Sequence, residues 1–148
     1  MKKLSCYVLL VLAACNSPKN QAENTENDNC KTCGMHSLPY PKWNVTWKNT
    51  NQTQWFCSPR CMFIQVHKTP SLVNPSDSLL VTDYYTQQRI AAQKAFFVIG
   101  SDITSPMGHD FVPLQDEKAA TDFMTEHKGK QVLRFEEVNN EVIKNLGK

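Results

Sequence analysis

The sequence predicts an α+β fold: two small strand-strand-helix-strand units with antiparallel sheets, preceded by a disordered tether. Three observations predict it. Short apolar or β-branched runs and longer amphipathic stretches are mixed along the chain rather than strictly alternating, which argues against a parallel sheet built from βαβ units. These segments follow the same order in both halves, although identity between the halves is negligible, so the repeat is one of topology and not of sequence. The stretch from Asn16 to Asn29 is polar throughout except for Ala22 and cannot bury enough surface to order itself.

Taken in order, the first unit opens near Cys30. Trp43–Lys48 and Thr53–Cys57 are rich in aromatic and β-branched residues and are joined by Asn49-Thr50-Asn51-Gln52, which reads as a hairpin. Ser58-Pro59 is an N-cap followed by proline at the first helical position, and the helix runs to about Lys68 with Met62, Phe63 and Val66 on one face. Thr69-Pro70 stops it. Leu79–Tyr84 is the next strand. In the second unit Ala95–Gly100 is a strong strand and Phe111–Leu114 a shorter one. Asp116 caps a helix to about His127, with Ala119, Ala120, Phe123 and Met124 on one side, and Lys128-Gly129 ends it. Gln131–Phe135 is a strand and Glu136–Leu146 a tail helix. Met62 and Met124 lie on apolar helical faces and are expected in the core. His67 and His127, near helix C-termini, are expected to be structural or solvent-facing.

The chain has 148 residues, 41% hydrophobic and 20% charged, enough apolar material for a core. Lys2 and Lys3 precede a short apolar run, Leu4 to Leu12, too short to span a bilayer. Leu12-Ala13-Ala14-Cys15 resembles the bacterial lipobox, which favours lipidation of Cys15 over simple release. Residues 1–14 are then a signal peptide and 15–29 a lipidated tether. Residues 30–148 form the functional domain, with half-units at about 30–90 and 91–148. Acylated Cys15 would supply several chains, enough for stable anchoring. Localisation is then the cell envelope, lipid-anchored and facing the periplasm or exterior. Loss of the signal removes Lys2 and Lys3 from the 16 basic residues and none of the 14 acids. The mature chain is neutral, and no nucleic-acid surface is expected.

Six cysteines are present. Cys6 leaves with the signal and Cys15 is the lipidation site. The four that remain fall into two tight pairs, Cys30-x-x-Cys33 and Cys57-x-x-x-Cys61. An even number in an exported protein suggests two disulfides, yet each pair can also present both sulfurs to one ion. Cys57 at a strand end and Cys61 in the first helical turns match the strand-to-helix placement of treble-clef metal sites. Trp55 to Cys61 resembles the small TRASH or YHS metal-binding domains, which makes a structural Zn(II) site of four thiols one reading. A second comes from Cys33-Gly34-Met35-His36, where thiol, thioether and imidazole fall within four residues and Gly34 lets the backbone fold back. Met107-Gly108-His109 repeats soft donor, glycine and imidazole, in a loop rather than on an apolar face. Thiolate and thioether donors select Cu(I). A third, a thiol-disulfide enzyme using Cys30 and Cys33, fits poorly, because that motif normally opens a helix after a strand. Asp83 is expected to cap a turn or to hydrogen-bond the metal loop. There is no Ser-His-Asp arrangement, P-loop or dinucleotide glycine motif, and no enzyme is expected.

Across nearly the whole mature chain the sequence resembles the NosL family, lipoprotein accessory factors of nitrous oxide reductase. The resemblance is carried by the lipobox and by Asp28-x-Cys30-x-x-Cys33-Gly34-Met35, Pro41, Phe56-Cys57, Asp83-Tyr84 and Ala95-x-x-Val98-x-Gly100-Ser101. Met107-Gly108, Ala120-x-x-Phe123 and His127-x-Gly129-x-x-Leu133 complete it. It implies a pair of small α+β units and a Cu(I) chaperone that delivers copper for assembly of the copper centre of nitrous oxide reductase. It implies Cys33, Met35 and Met107 as ligands; Cys30, His36, Cys57, Cys61 and His109 are further candidates from their chemistry. The pair Cys57 and Cys61 departs from what a chaperone of this family needs: it is open to a disulfide, a wider copper site or a separate zinc. The implied partners are nitrous oxide reductase or its maturation machinery.

Overall fold

The computed structural model describes residues 27–147 apart from 51, 73 and 75. The signal peptide, Cys15 and nearly all of the tether expected from the sequence lie outside the described residues.

The first unit is built on a hairpin. β1 (Val45–Lys48) pairs antiparallel with β2 (Thr53–Phe56), Val45 opposite Phe56 and Lys48 opposite Thr53. Alternation does the sorting: Val45 and Trp47 turn inward and are buried, while Lys48 is exposed. α1 (Pro59–Lys68) follows, with proline in its first turn. β3 (Ser78–Thr82) returns to the free side of β1, and β4 (Arg89–Ala91) adds to β3, giving the order β2-β1-β3-β4. The second unit repeats the plan. β5 (Phe96–Ile99) pairs antiparallel with β6 (Val112–Leu114) and, after α2 (Glu117–Glu126), with β7 (Gln131–Arg134), in the order β6-β5-β7. In both sheets the first strand is central, the second and third flank it, and the helix lies between the second and third in sequence.

The units share one core. Phe63 of α1 is 1% exposed and packs against Phe97, Phe111 and Phe135 of the second unit, with ring centroids 5.1, 4.8 and 5.3 Å away. A second cluster of Val98, Val112, Leu114, Ala120 and Phe123 sits under α2 and takes Tyr84 from the first unit. Met62 is fully buried and Met124 packs against the second cluster, as their helical spacing predicts.

Two elements differ from the sequence reading. The tail helix is interrupted: Phe135–Glu137 is a 3₁₀ turn, and α3 spans only Asn140–Asn145. Asn139 is the cause, because its side chain accepts from the Glu141 and Val142 amides and so starts a new helix. β4 was not expected, since three residues carry no period. It is held by Arg89, whose guanidinium donates to the carbonyls of Asn44 and Leu80 and to the hydroxyls of Thr46 and Thr82. Among the described residues no helix is long and apolar enough to cross a membrane.

Candidate metal centre

The segment from Asn29 to His36 folds back on itself. Cys30 N–H donates to the Met35 carbonyl at 2.8 Å, Gly34 N–H donates to the Cys30 carbonyl at 2.8 Å, and Asn29 bridges His36. Gly34 takes φ +80, and a side chain there would meet no neighbour. The glycine is therefore required by the backbone turn and not by space. This knuckle is seated against the hairpin by Lys31 N–H donating to the Trp55 carbonyl at 2.9 Å. Thr32 Oγ1 donates to the Cys61 carbonyl at 2.7 Å and ties the knuckle to α1.

Cys57 leaves β2 directly before the helix, and Cys61 is the third residue of α1. Knuckle and helix start thus converge. The sulfurs of Cys30, Cys33, Cys57 and Cys61 all lie within 4.8 Å of one another, with Cys33 to Cys57 at 3.5 Å and Cys57 to Cys61 at 3.7 Å. All four are free thiols. Cys30, Cys57 and Cys61 are buried, whereas Cys33 is exposed. A tetrahedral ion with metal–sulfur bonds near 2.3 Å would set its sulfurs about 3.8 Å apart, so the spacing suits a soft ion with little rearrangement.

The protons of the cluster are shared unequally. Thiols of Cys57 and Cys61 donate to Cys30, and with backbone amides of Cys57 and Cys33 they outweigh burial and hold Cys30 far below the usual thiol range. Hydrogen bonding to Cys30 in turn pushes Cys57 and Cys61 well above it, with burial adding to the effect. A cation that takes these sulfurs as thiolate ligands displaces their protons.

The distal segment approaches the same helix start. Ser105 and Gly108 exchange backbone hydrogen bonds at 2.8 and 2.9 Å around Met107, and Gly108 takes φ +83. The Arg60 guanidinium reaches the Met107 carbonyl at 3.5 Å, and Arg60 N–H donates to Asp110 Oδ1 at 2.7 Å. Asp110 is 2% exposed; burial pushes its carboxyl up to about 6 against the opposing bonds from Ser105, Ser58, Phe111 and Arg60. Met35 and Met107 are both half-buried and pack against the core that contains Cys30, Cys57 and Cys61.

The structure thus gathers Cys30, Cys33, Cys57 and Cys61 into one cluster and sets Met35 and Met107 against the core that contains it. It leaves both histidines of the two Met-His segments outside the four-sulfur cluster. His36 is exposed and turns Nδ1 toward Asp28 at 3.2 Å. His109 is exposed, with its ring against the backbone of Gly147. His67 bonds the Val138 carbonyl and His127 packs on Phe123, both structural. Asp83 caps its own turn through Thr86 and reaches the Gln115 amide instead of the metal loop. Sequence reasoning did not single out Thr32, Arg60 or Asp110. The one hint in the sequence is that the first turn of α1 holds no acid; that Ser58 makes no capping bond with its side chain is seen only in the structure.

Two small antiparallel sheets carrying a four-cysteine cluster, with two thioethers packed against the core that contains it, define a small α+β protein fitted to hold a soft metal ion. Residues 21–143 match the NosL family, and the chain belongs to that family. The crystal structure of the copper chaperone NosL from Shewanella denitrificans superimposes with a TM-score of 0.68 at 26% identity. The match covers 84% of this chain and 99% of that one. No curated protein sequence matches the chain.

Proposed function

We propose that the protein is a lipid-anchored Cu(I) chaperone that holds copper at the cysteine cluster and passes it on for assembly of the copper centre of nitrous oxide reductase. One observation carries the reading: three buried sulfurs and one exposed sulfur stand within 4.8 Å of one another, and the exposed one, Cys33, is two residues from a thioether. Cu(I) is cargo here and undergoes no redox change. It prefers soft sulfur donors, and Met35 and Met107 need no deprotonation to serve. Cys33 is the edge at which an acceptor's thiolate or thioether can join the coordination before the donor's ligands let go. The chain binds and releases without turnover. Family membership and the copper chaperone of similar fold support the cargo. The lipobox supports the anchor at Cys15 and an envelope location facing the periplasm or exterior. Delivery to nitrous oxide reductase or its maturation machinery rests on kinship.

A second reading is favoured by the sulfur spacing itself: a structural Zn(II) held by all four cysteines, in a binding or sensor module. Anaerobic titration of the fully reduced chain separates the two, read by native mass spectrometry with a competing Cu(I) chelator. The expected result is tight Cu(I) that Zn(II) does not displace, weakened in Met107→Leu with the fold retained. Tight Zn(II) that Cu(I) can neither join nor displace would establish the structural site instead.

A further inference from the structure

A closed ring of hydrogen bonds joins Arg60, the neighbour of Cys61, to Met107, forty-seven positions away. Arg60 N–H and Phe111 N–H donate to Asp110 Oδ1 at 2.7 and 2.8 Å. The Ser105 hydroxyl donates to Asp110 Oδ2 at 2.6 Å. Met107 N–H donates to Ser105 Oγ at 2.9 Å, and the Arg60 guanidinium returns to the Met107 carbonyl at 3.5 Å. We propose that Ser105 and Asp110 are positioning residues that clamp the Met107 segment onto the first turn of α1, so that a thioether from the second unit is presented to an ion held by the cysteines of the first.

The proposal rests on the reading of Met107 as a Cu(I) ligand and adds what fixes it in place. Three features point beyond a simple helix cap. The local cap is unused: Ser58 makes no capping bond with its side chain, and the helix start is served by an acid fifty residues on. The two oxygens of that acid have separate duties, one on the helix that carries Cys61 and one on the turn that carries Met107. A buried carboxylate is unfavourable to keep, and a helix start could be capped by a neutral hydroxyl side chain; what a hydroxyl cap would lack is a second polar atom to reach Ser105. The Met107 turn is itself fixed by the paired Ser105 and Gly108 bonds, so holding Ser105 holds Met107. Groups that orient ligands in this way typically change metal affinity 10- to 100-fold when removed.

The test is a double-mutant cycle on the full reduced chain, with Cu(I) affinity read by chelator competition and sulfur neighbours counted by X-ray absorption. Ser105→Ala is expected to lower Cu(I) affinity by roughly 10- to 100-fold with one sulfur fewer at copper. It should have no further effect in a Met107→Leu background. Asp110→Asn, which keeps an acceptor for the two amides and can donate its own amide to Ser105 Oγ, should keep the clamp and stay close to the unaltered protein. Zn(II) affinity of the four cysteines, unchanged in both variants, reports that the helix start is intact. If Met107→Leu weakens Cu(I) binding while Ser105→Ala does not, or if Ser105→Ala weakens it equally in both backgrounds, the clamp is refuted and the ligand reading stands. If Met107→Leu leaves Cu(I) affinity unchanged, the ligand reading falls and the clamp with it.

Discussion

Asp110 sits where a charge is hardest to keep, in the interior and 2% exposed. Its carboxyl is pushed up to about 6 by burial, so the folded chain binds a proton more readily than the unfolded one. The sign follows: between the ordinary carboxylate range and about pH 6 the native state holds the extra proton, and stability falls as pH rises through that window. The metal-free, reduced protein should therefore lose stability relative to Asp110→Asn on going from pH 4.5 to 7.5, by at most about 2 kcal/mol. Urea midpoints at the two pH values check it, and parallel profiles for the two proteins would show that the carboxyl is not strained. At this scale the sequence was partly legible. Each cysteine stood out because pairs with two or three intervening residues point at one centre. Asp110 did not, because its partners Arg60 and Ser105 are joined to it only by the tertiary fold, and an acid after a histidine carries no local sign of burial.

Elements with their own punctuation were readable. α2 is an example: Asp116 precedes it and accepts from the Ala119 amide at 2.8 Å, satisfying one of the donors a helix start leaves open. Asp116→Ala should cost about 1 kcal/mol by chemical denaturation, with Cu(I) affinity unchanged, since α2 carries no sulfur of the cluster. A loss of copper binding in that variant would mean that the helix acts on the site through the sheet. β4 was invisible for the opposite reason, since its three residues have no alternation and its place depends on Arg89 reaching carbonyls of strands paired elsewhere. The tail showed its apolar period, but a cap at Asn139 inside that period divided it into a 3₁₀ turn and α3.

Over the whole molecule the two units are one folding body to the extent that Phe63 makes them so. Its ring meets three phenylalanine rings of the other unit and is 1% exposed. Phe63→Ala should cost 3 to 5 kcal/mol, about the range for deleting a buried aromatic ring, which is a large part of the total stability of a domain this size. Calorimetry is expected to show one lowered transition, or two where the units come apart; an unshifted single transition would remove Phe63 from the shared core. The repeat itself could be read from the order of segments. The packing of one repeat on the other could not, because the residues that meet are far apart in sequence and belong to no common period.

The knuckle and the helix start that meet at the four sulfurs are near neighbours along the chain, Cys30 and Cys61 being thirty-one positions apart. The segment carrying Met107 lies a further forty-six residues on. Closing the shorter loop has the smaller entropic cost and is the earlier event on general grounds of chain connectivity. As the polypeptide emerges from its amino end, all four cysteines are therefore present before the thioether arm has arrived. The sulfur donors such a nascent chain first offers an ion are the four cysteines and Met35, without Met107.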